Sequence, residues 1–122
     1  MKIKESAENY LETIFILKNK NGSVRSIDIA NELSFTKASV SVAMKSLRED
    51  GFITVLENGS LELTAKGKKI AKTMFERHET IAKALMALGV DEKTAYEDSC
   101  KIEHHISNTA FKKIKEHVEK YA

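Results

Sequence analysis

Apolar residues recur at helical spacing through most of the chain, beginning near the N-terminus. The broad apolar face of residues 6–19 comprises Ala7, Tyr10, Leu11, Ile14 and Phe15. This spacing predicts a first amphipathic helix, which ends at Asn21 and Gly22. A shorter apolar face follows at Ile27, Ile29, Ala30 and Leu33. It predicts a second helix, whose first amides Ser26 or Asp28 can cap.

The next segment predicts a third helix followed by a β-hairpin. Thr36 is a good N-cap and Gly51 a good C-terminal stop for a helix spanning roughly Lys37 to Asp50. Its inward stripe is Val40, Met44 and Leu47. Two β-rich runs then flank the Asn58-Gly59 pair, the strongest short-range hairpin signal in the chain. A two-stranded wing is therefore expected after the third helix.

The remainder of the chain predicts helices only. Thr64 can cap a long fourth helix that runs to Gly89. Its apolar stripe is Ile70, Met74, Ile81, Leu85 and Leu88. Residues 91–106 predict a fifth helix, and a sixth is marked by Phe111, Ile114, Val118 and Tyr121. We expect a mainly α fold with a small β-hairpin: a winged helix-turn-helix domain over residues 1–64 and an all-helical domain over residues 65–122.

Composition is that of an ordinary globular protein. With 122 residues and 42% hydrophobic content, the chain can bury one core or two small ones. No apolar run approaches the roughly 20 residues that cross a bilayer, and the N-terminus lacks the apolar core of a signal peptide. The single cysteine, Cys100, excludes an intrachain disulfide and suits a reducing compartment. We expect a cytoplasmic protein with no membrane contact.

The distribution of charge is more informative than its total. A formal net charge of +2 is weak for a nucleic-acid-binding protein. Residues 1–64 hold eight Lys/Arg and nine Asp/Glu, whereas residues 36–48 carry three basic residues and no acid. A helix that precedes a wing is the one that enters the major groove. DNA binding would therefore depend on the placement of charge along the third helix.

The candidate DNA-binding residues are the outward polar positions of this segment and one outward valine. They are Thr36, Lys37, Ser39, Ser41, Val42, Lys45 and Arg48. The cations can neutralise phosphates, the hydroxyls can bond phosphates or bases, and Val42 can contact a thymine methyl group. The alternative is a solvated helical face with one stray apolar residue. The acids of the wing, Glu57 and Glu62, argue against deep insertion of the wing between phosphates.

A second candidate set lies in the predicted helical domain. His78 completes the apolar stripe of the fourth helix. Cys100, Glu103 and His104 fall at positions i, i+3 and i+4 of the predicted fifth helix, which would place a thiol, a carboxylate and an imidazole on one face. Such groups are the ligands that transition metals take in proteins.

A metal site needs donors from several elements. On the first helix, Asn9 and Glu12 are three residues apart and lie away from the main apolar face. The alternatives are a hydrogen-bonded core histidine at His78, a small hydrophobe at Cys100 and a solvated carboxylate and imidazole beyond it. Spacing alone leaves open whether the three helices meet.

Five segments of the chain carry a family resemblance that runs nearly from end to end. They are NYLETIFIL, IANELSFTKASVSVAMKSLREDGFI, LTAKGKKIA, RHETIAKALMALGVDE and CKIEHH. In these segments the chain resembles the family of metal-dependent repressors that includes the diphtheria toxin repressor and the manganese transport regulator. The resemblance implies a homodimer joined through C-terminal helices, with Mn(II) or Fe(II) bound between the first helix and the helical lobe. Zn(II), Co(II) or Ni(II) would be substitutes. Because the chain ends at Ala122, we expect the short form without the third, β-barrel domain.

Carried over position by position, the resemblance also implies the metal ligands. They fall at Asn9, Glu12, His78, Cys100, Glu103 and His104. Asn9 stands where the manganese branch has aspartate and the iron branch methionine. Glu12 matches the manganese branch and Cys100 the iron branch, so metal identity stays open, although a thiolate favours softer ions. Ala82 and Tyr96 occupy the secondary site of the iron branch, and since neither is a convincing donor we expect that site to be missing.

The function predicted is that of a metal-dependent DNA-binding transcriptional regulator. The expectation is a repressor of metal-uptake genes, activated by Mn(II) or Fe(II), which binds palindromic double-stranded operator DNA as a homodimer. One alternative is a winged-helix regulator without metal gating, whose helical lobe only dimerises or binds an organic effector. Another is a small metalloenzyme, but no nucleophile and base pair or phosphate-cradling glycine loop accompanies the ligands. We therefore expect a protein that is not an enzyme.

Overall fold

The computed structural model describes residues 4–121. Among them it has six helices and two strands: α1 (Glu5–Asn21), α2 (Ser26–Leu33), α3 (Lys37–Glu49), β1 (Ile53–Val55), β2 (Leu61–Leu63), α4 (Ala65–Ala87), α5 (Glu92–Ile102) and α6 (Asn108–Tyr121). This order confirms the predicted fold class of a winged helix-turn-helix followed by a helical region. The chain divides into two units between Lys72 and Thr73, within α4.

The first unit is organised around one apolar cluster to which every one of its elements contributes. Its buried members are Leu11, Ile14, Leu17, Val24, Ile29, Ala30, Val40, Met44, Leu47, Phe52, Ile53, Leu61 and Ala71. Helix α1 ends where Gly22 adopts a φ of +85°, and the Gly22 amide donates to the Lys18 carbonyl at 2.8 Å. At the start of α3 the Thr36 hydroxyl accepts a hydrogen bond from the Ser39 amide at 3.1 Å, as predicted for its N-cap.

The wing is an antiparallel hairpin in which Ile53 pairs with Leu63 and Val55 with Leu61. Strand β2 is joined to the segment between α1 and α2, because the Leu61 amide donates a hydrogen bond to the Val24 carbonyl at 2.8 Å. At the tip, Gly59 has a φ of +87°, a conformation that glycine adopts readily. The hairpin signal at Asn58-Gly59 is thereby confirmed.

The start of α4 packs closely on the end of α3 and the start of β1. Thr64 caps α4 as predicted: its hydroxyl accepts from the Gly67 amide at 3.2 Å and donates to the Gly51 carbonyl at 2.7 Å. A Cβ atom on Gly67 would lie only 2.1 Å from the main-chain oxygen of Phe52. Only glycine therefore allows α4 to approach the backbone of Phe52, the residue before β1, this closely.

The second unit contains the rest of α4 together with α5 and α6. Asp91 caps α5 by accepting a hydrogen bond from the Thr94 amide at 3.0 Å. Two predictions for this region are wrong. The fifth helix ends at Ile102 instead of residue 106, because residues 103–105 form a turn. Leu88, assigned to the apolar stripe of the fourth helix, is 82% exposed just beyond the end of α4. No helix within residues 4–121 is long and apolar enough to span a membrane.

Candidate DNA interface and metal-ligand cluster

Helix α3 presents two chemically different faces. Val40, Met44 and Leu47 are buried in the apolar cluster, as their spacing predicted. The seven candidate DNA-binding residues, Thr36, Lys37, Ser39, Ser41, Val42, Lys45 and Arg48, are all exposed. Val42 is 71% exposed, although it is a large apolar side chain. The solvent face thus offers cations, hydroxyls and one methyl-bearing surface, which are the groups that contact phosphates and base edges in a major groove.

The wing carries fewer free acids than its sequence indicates. Lys18 of α1 forms an ion pair with Glu62 of β2, with Nζ 2.5 Å from Oε1. Because this lysine offsets its charge, Glu62 opposes the approach of a phosphate less than sequence alone implied. Glu57 is exposed at the tip. Of these two acids, Glu57 therefore opposes contact between the wing and DNA phosphates more strongly than Glu62 does.

Arg25 holds the wing from the turn between α1 and α2. Its guanidinium donates to the Asn58 carbonyl, and its side chain lies against Gly59 at the tip. The Asn58 side chain in turn accepts a hydrogen bond from the Ser60 amide at 2.9 Å. Sequence reasoning missed this role because no periodicity connects residues 33 positions apart.

Three of the predicted metal ligands come together in the second unit. His78 Nδ1 is 2.9 Å from Glu103 Oε2, and His104 Nε2 is 3.3 Å from Glu103 Oε1. The Glu103 side chain is fully buried, that of His104 is 3% exposed and that of His78 is 19% exposed. A carboxylate removed from water is costly unless charged or hydrogen-bonding groups surround it. Here an imidazole faces each of its two oxygens.

The sequence predicted that Glu103 and His104 lie on the face of a helix, but both follow the last residue of α5. Glu103 follows the last residue of α5 and its amide still donates to the Ser99 carbonyl at 2.9 Å, whereas His104 lies in the following turn. The Cys100 side chain is in the last turn of α5 and exposed. The exposed thiol and the buried carboxylate are therefore in different environments despite their spacing of three residues.

The two predicted ligands on α1 belong to the first unit. Glu12 is 4% exposed. Asn9 is half-buried, and its main-chain oxygen accepts a hydrogen bond from the Thr13 hydroxyl at 2.8 Å.

Two residues that sequence reasoning missed hold the cluster of His78, Glu103 and His104 in the second unit. The Ser99 hydroxyl donates to the His78 carbonyl at 2.5 Å, which joins α5 to α4. Arg77 Nη1 donates to the carbonyls of Glu103 and Ile106 at 3.0 and 2.9 Å. Arg77 is only 8% exposed, and no sequence signal separates it from the surface cations of the same helix.

The positions of the secondary site of the iron branch carry other chemistry. Ala82 is buried and offers no ligand atom. The Tyr96 hydroxyl donates to Glu79 Oε2 at 3.0 Å, and this hydrogen bond raises the pKa of Tyr96 above its ordinary 10.0. Tyr96 therefore stays protonated, and its ring lies 5.4 Å from the ring of His78. The absence of a secondary site stays a prediction.

The donor set of the second unit fits a divalent transition metal. Imidazole and carboxylate are the ligands that Mn(II), Fe(II) and Zn(II) share in proteins. Burying the Glu103 carboxylate between two imidazoles costs desolvation free energy. Apolar side chains would fill the same space at a lower cost, so a purely structural role does not explain this arrangement.

Comparison with known proteins gives matches over nearly the whole chain. Residues 2–61 match the family model described as "Iron dependent repressor, N-terminal DNA binding domain", and residues 64–122 match "Iron dependent repressor, metal binding and dimerisation domain". The chain is 36% identical over 114 residues to the HTH-type transcriptional regulator MntR of Lysinibacillus sphaericus (strain C3-41), covering 93% of this chain and 82% of that protein. It is 38% identical over 109 residues to MntR of Bacillus subtilis (strain 168), covering 89% and 77% respectively.

A solved structure has the same fold. The structure described as "Manganese-dependent transcriptional repressor complex with manganese" superposes with a TM-score of 0.85 at 22% identity over 93% of this chain. The chain spans about half of that protein, 52% of its length.

Proposed function

The chain belongs to the iron-dependent repressor family of metal-dependent, DNA-binding transcriptional regulators, and on this premise we propose that it represses metal-uptake genes when Mn(II) or Fe(II) is bound. The observation that carries the proposal is the buried Glu103 carboxylate with an imidazole at each oxygen. A winged-helix regulator without metal gating has no need of this cluster. The proposed place of action is the cytoplasm, where the DNA is.

The metal ligands that we propose are those implied by the family resemblance. They are Asn9, Glu12, His78, Cys100, Glu103 and His104. The burial of Glu103 and His104 supports their part in the set, because water competes poorly for ligands in a buried site. Cys100 is exposed and Asn9 is an amide, so these two are the weakest donors of the set at neutral pH.

In a bound state, a divalent cation would neutralise the charge of the Glu12 and Glu103 carboxylates. His78 would be supplied by α4 and Glu103 by the end of α5, and the contact of 2.9 Å between His78 Nδ1 and Glu103 Oε2 supports their belonging to one ligand set. Glu12 would bring α1 into the same ligand set. Metal and DNA affinities must then be coupled reciprocally, because both ligands favour one arrangement of the protein.

DNA recognition is assigned to the exposed face of α3. We propose that Lys37, Lys45 and Arg48 contact phosphates, and that Thr36, Ser39, Ser41 and Val42 reach phosphates or base edges. The absence of acids on this face until Glu49 supports the assignment. A homodimer would place two such helices about 34 Å apart, or a multiple of this distance, on a palindromic operator.

The test is a DNA-binding titration with and without metal. Operator fragments are first selected from a random duplex library with protein and Mn(II), and affinity is then measured by fluorescence anisotropy in Mn(II), in Fe(II) or in EDTA. We expect Mn(II) to tighten binding at least about 10-fold, within the usual range of allosteric coupling. The double variant His78→Ala, Glu103→Ala should lose this difference, whereas Glu76→Gln, which removes an exposed acid of α4, should keep it. Equal operator affinities in Mn(II), in Fe(II) and in EDTA for the unmodified protein would rule out metal gating and favour the ungated regulator.

A further inference from the structure

Two of the proposed metal ligands lie in the turn between α5 and α6. Glu103 and His104 follow the end of α5, and α6 begins only at Asn108. The amides of His105 and Ile106 both donate to the Ile102 carbonyl, at 3.0 and 3.1 Å. These bonds shape the turn but do not connect it to α4, which carries His78.

Arg77 makes that connection with a single side chain. Nη1 donates to the carbonyls of Glu103 at 3.0 Å and Ile106 at 2.9 Å, and so contacts both ends of the turn. Nη2 donates to the side chain of Asn108, at the first residue of α6. The guanidinium also lies 5.4 Å from the ring centroid of Phe111. The planar fork of donors suits arginine to this role, whereas lysine has one nitrogen on a flexible chain.

The hydrogen bonds of Arg77 to main-chain oxygens leave the Glu103 carboxylate available to bind a metal. Arg77 binds the main-chain oxygen of Glu103, while the carboxylate oxygens face His78 and His104. An arginine that bound the carboxylate itself would compete with a metal for the same lone pairs. Because Arg77 immediately precedes His78 on α4, its hydrogen bonds set the position of the turn relative to that imidazole.

We propose that Arg77 is a positioning residue for metal binding, which holds the turn of Glu103 and His104 at the correct distance from His78. The proposal rests on the function proposed above, since it takes those three residues as ligands. Outer hydrogen bonds that orient ligands typically change metal affinity by about 10- to 100-fold when they are removed. The predicted consequence is a loss of metal affinity that exceeds any loss of folding.

The experiment compares Arg77→Lys with a control that also joins α4 to α6. Lys115→Met removes the ion pair between Lys115 and Glu76, which spans the same two helices at the surface without touching the turn. Mn(II) dissociation constants are measured on the purified full chain from the electron paramagnetic resonance signal of free Mn(II). Thermal unfolding and amide hydrogen exchange are measured in EDTA. We expect Arg77→Lys to weaken Mn(II) binding about 10- to 100-fold, and Lys115→Met to change it less than about 2-fold.

Hydrogen exchange separates positioning from general destabilisation. In Arg77→Lys without metal, the amides of His105 and Ile106 should exchange faster, while those in the middle of α5 keep wild-type rates. If Arg77→Lys does not fold, Asn108→Ala, which removes only one of the Arg77 hydrogen bonds, should weaken Mn(II) binding about 2- to 5-fold. Wild-type Mn(II) affinity in a folded Arg77→Lys variant, or uniformly faster exchange, would refute the positioning role alone. Failure of the unmodified chain to bind either Mn(II) or Fe(II) would instead refute the proposed function.

Discussion

The two units of the chain bury apolar and polar side chains in different proportions. In the first unit, one continuous apolar cluster takes residues from every helix and strand and from the start of α4. In the second, the buried side chains include Arg77, Ser99 and Glu103 next to a few apolar residues such as Ile81 and Val118. A small unit with this much polar interior gains less from apolar burial, so it depends more on hydrogen bonds and ligands. The comparison indicates that apolar packing contributes more to the stability of the first unit than to that of the second.

The largest effect that tests this contrast should come from the apolar face of α3. Met44 is 4% exposed, and Met44→Ala should lower the free energy of unfolding by about 2–5 kcal/mol, because it leaves a cavity in a packed core. The control is Val42→Ala on the opposite face of the helix, where exposed substitutions change stability by less than about 0.5 kcal/mol. Urea unfolding followed by circular dichroism measures both. Similar effects of the two substitutions would contradict the assignment of an inner and an outer face.

A second large effect is expected where α4 approaches β1. Gly67→Ala would put a Cβ atom 2.1 Å from a main-chain oxygen that cannot rotate away, so we expect destabilisation of about 3 kcal/mol. The matched control is Gly22→Ala, at a glycine with a φ of +85° and no atom near the new Cβ. There only the left-handed conformation costs free energy, about 1 kcal/mol. Equal losses in urea unfolding would show that helix α4 moves to accommodate the methyl group.

Most of the first unit was predictable from sequence because its stability comes from the burial of apolar side chains, and their spacing is visible in the sequence. Apolar periodicity reports burial, so Val40, Met44 and Leu47 identified the inner face of α3, and the Asn58-Gly59 pair identified the hairpin. The requirement for glycine at position 67 was not predictable, because it arises from a close approach to the backbone of Phe52, 15 residues earlier, just before β1.

The second unit was harder to predict because burial and polarity coincide there. In the run Glu103, His104, His105, the first is fully buried and the last is exposed, yet nothing in the local sequence distinguishes them. The end of α5 was placed four residues late because no glycine or proline marks it. The turn is instead held by Arg77, which lies 26 residues before Glu103. Residue types could indicate a ligand set, but the contacts that position it are long-range.

Substitution of Glu103 perturbs the polar interior of the second unit directly. Glu103→Gln keeps the shape of the side chain, so in EDTA the free energy of unfolding should change by no more than about 1–2 kcal/mol. The wild-type protein should gain about 2.7 kcal/mol when Mn(II) is present at 100 times its dissociation constant, and the variant should lose this gain. Urea unfolding with and without Mn(II) measures the difference, with Glu76→Gln as the control. A variant that is strongly destabilised in EDTA but still stabilised by Mn(II) would show that Glu103 serves folding instead.

The smallest expected effect is a pH dependence of stability that distinguishes the N-cap of α5 in the second unit from that of α3 in the first. Thr36 caps α3 with a hydroxyl that does not titrate, whereas Asp91 caps α5 with a carboxylate. The main-chain amide of Thr94, and after it the Thr94 side chain, hold the pKa of Asp91 below its ordinary 3.8. Because the pKa is lowered in the folded state, the cap stabilises the protein fully above that ordinary value. The stabilisation is lost as the pH falls through the folded-state pKa.

A serine at position 91 can cap the helix at every pH, so Asp91→Ser isolates the titrating part of this contribution. At pH 7 the wild-type protein should melt at a slightly higher temperature than the variant, since an anion near a helix N-terminus is favoured. As the pH falls below 3.8 the difference should shrink, and below the lowered folded-state pKa of Asp91 it should vanish or reverse, because the wild-type carboxylate is then protonated while the serine hydroxyl is unchanged. The same comparison for Thr36→Ser should show no pH dependence, because neither hydroxyl titrates. A constant difference between Asp91→Ser and wild type across this range would mean that the Asp91 charge contributes nothing to the start of α5.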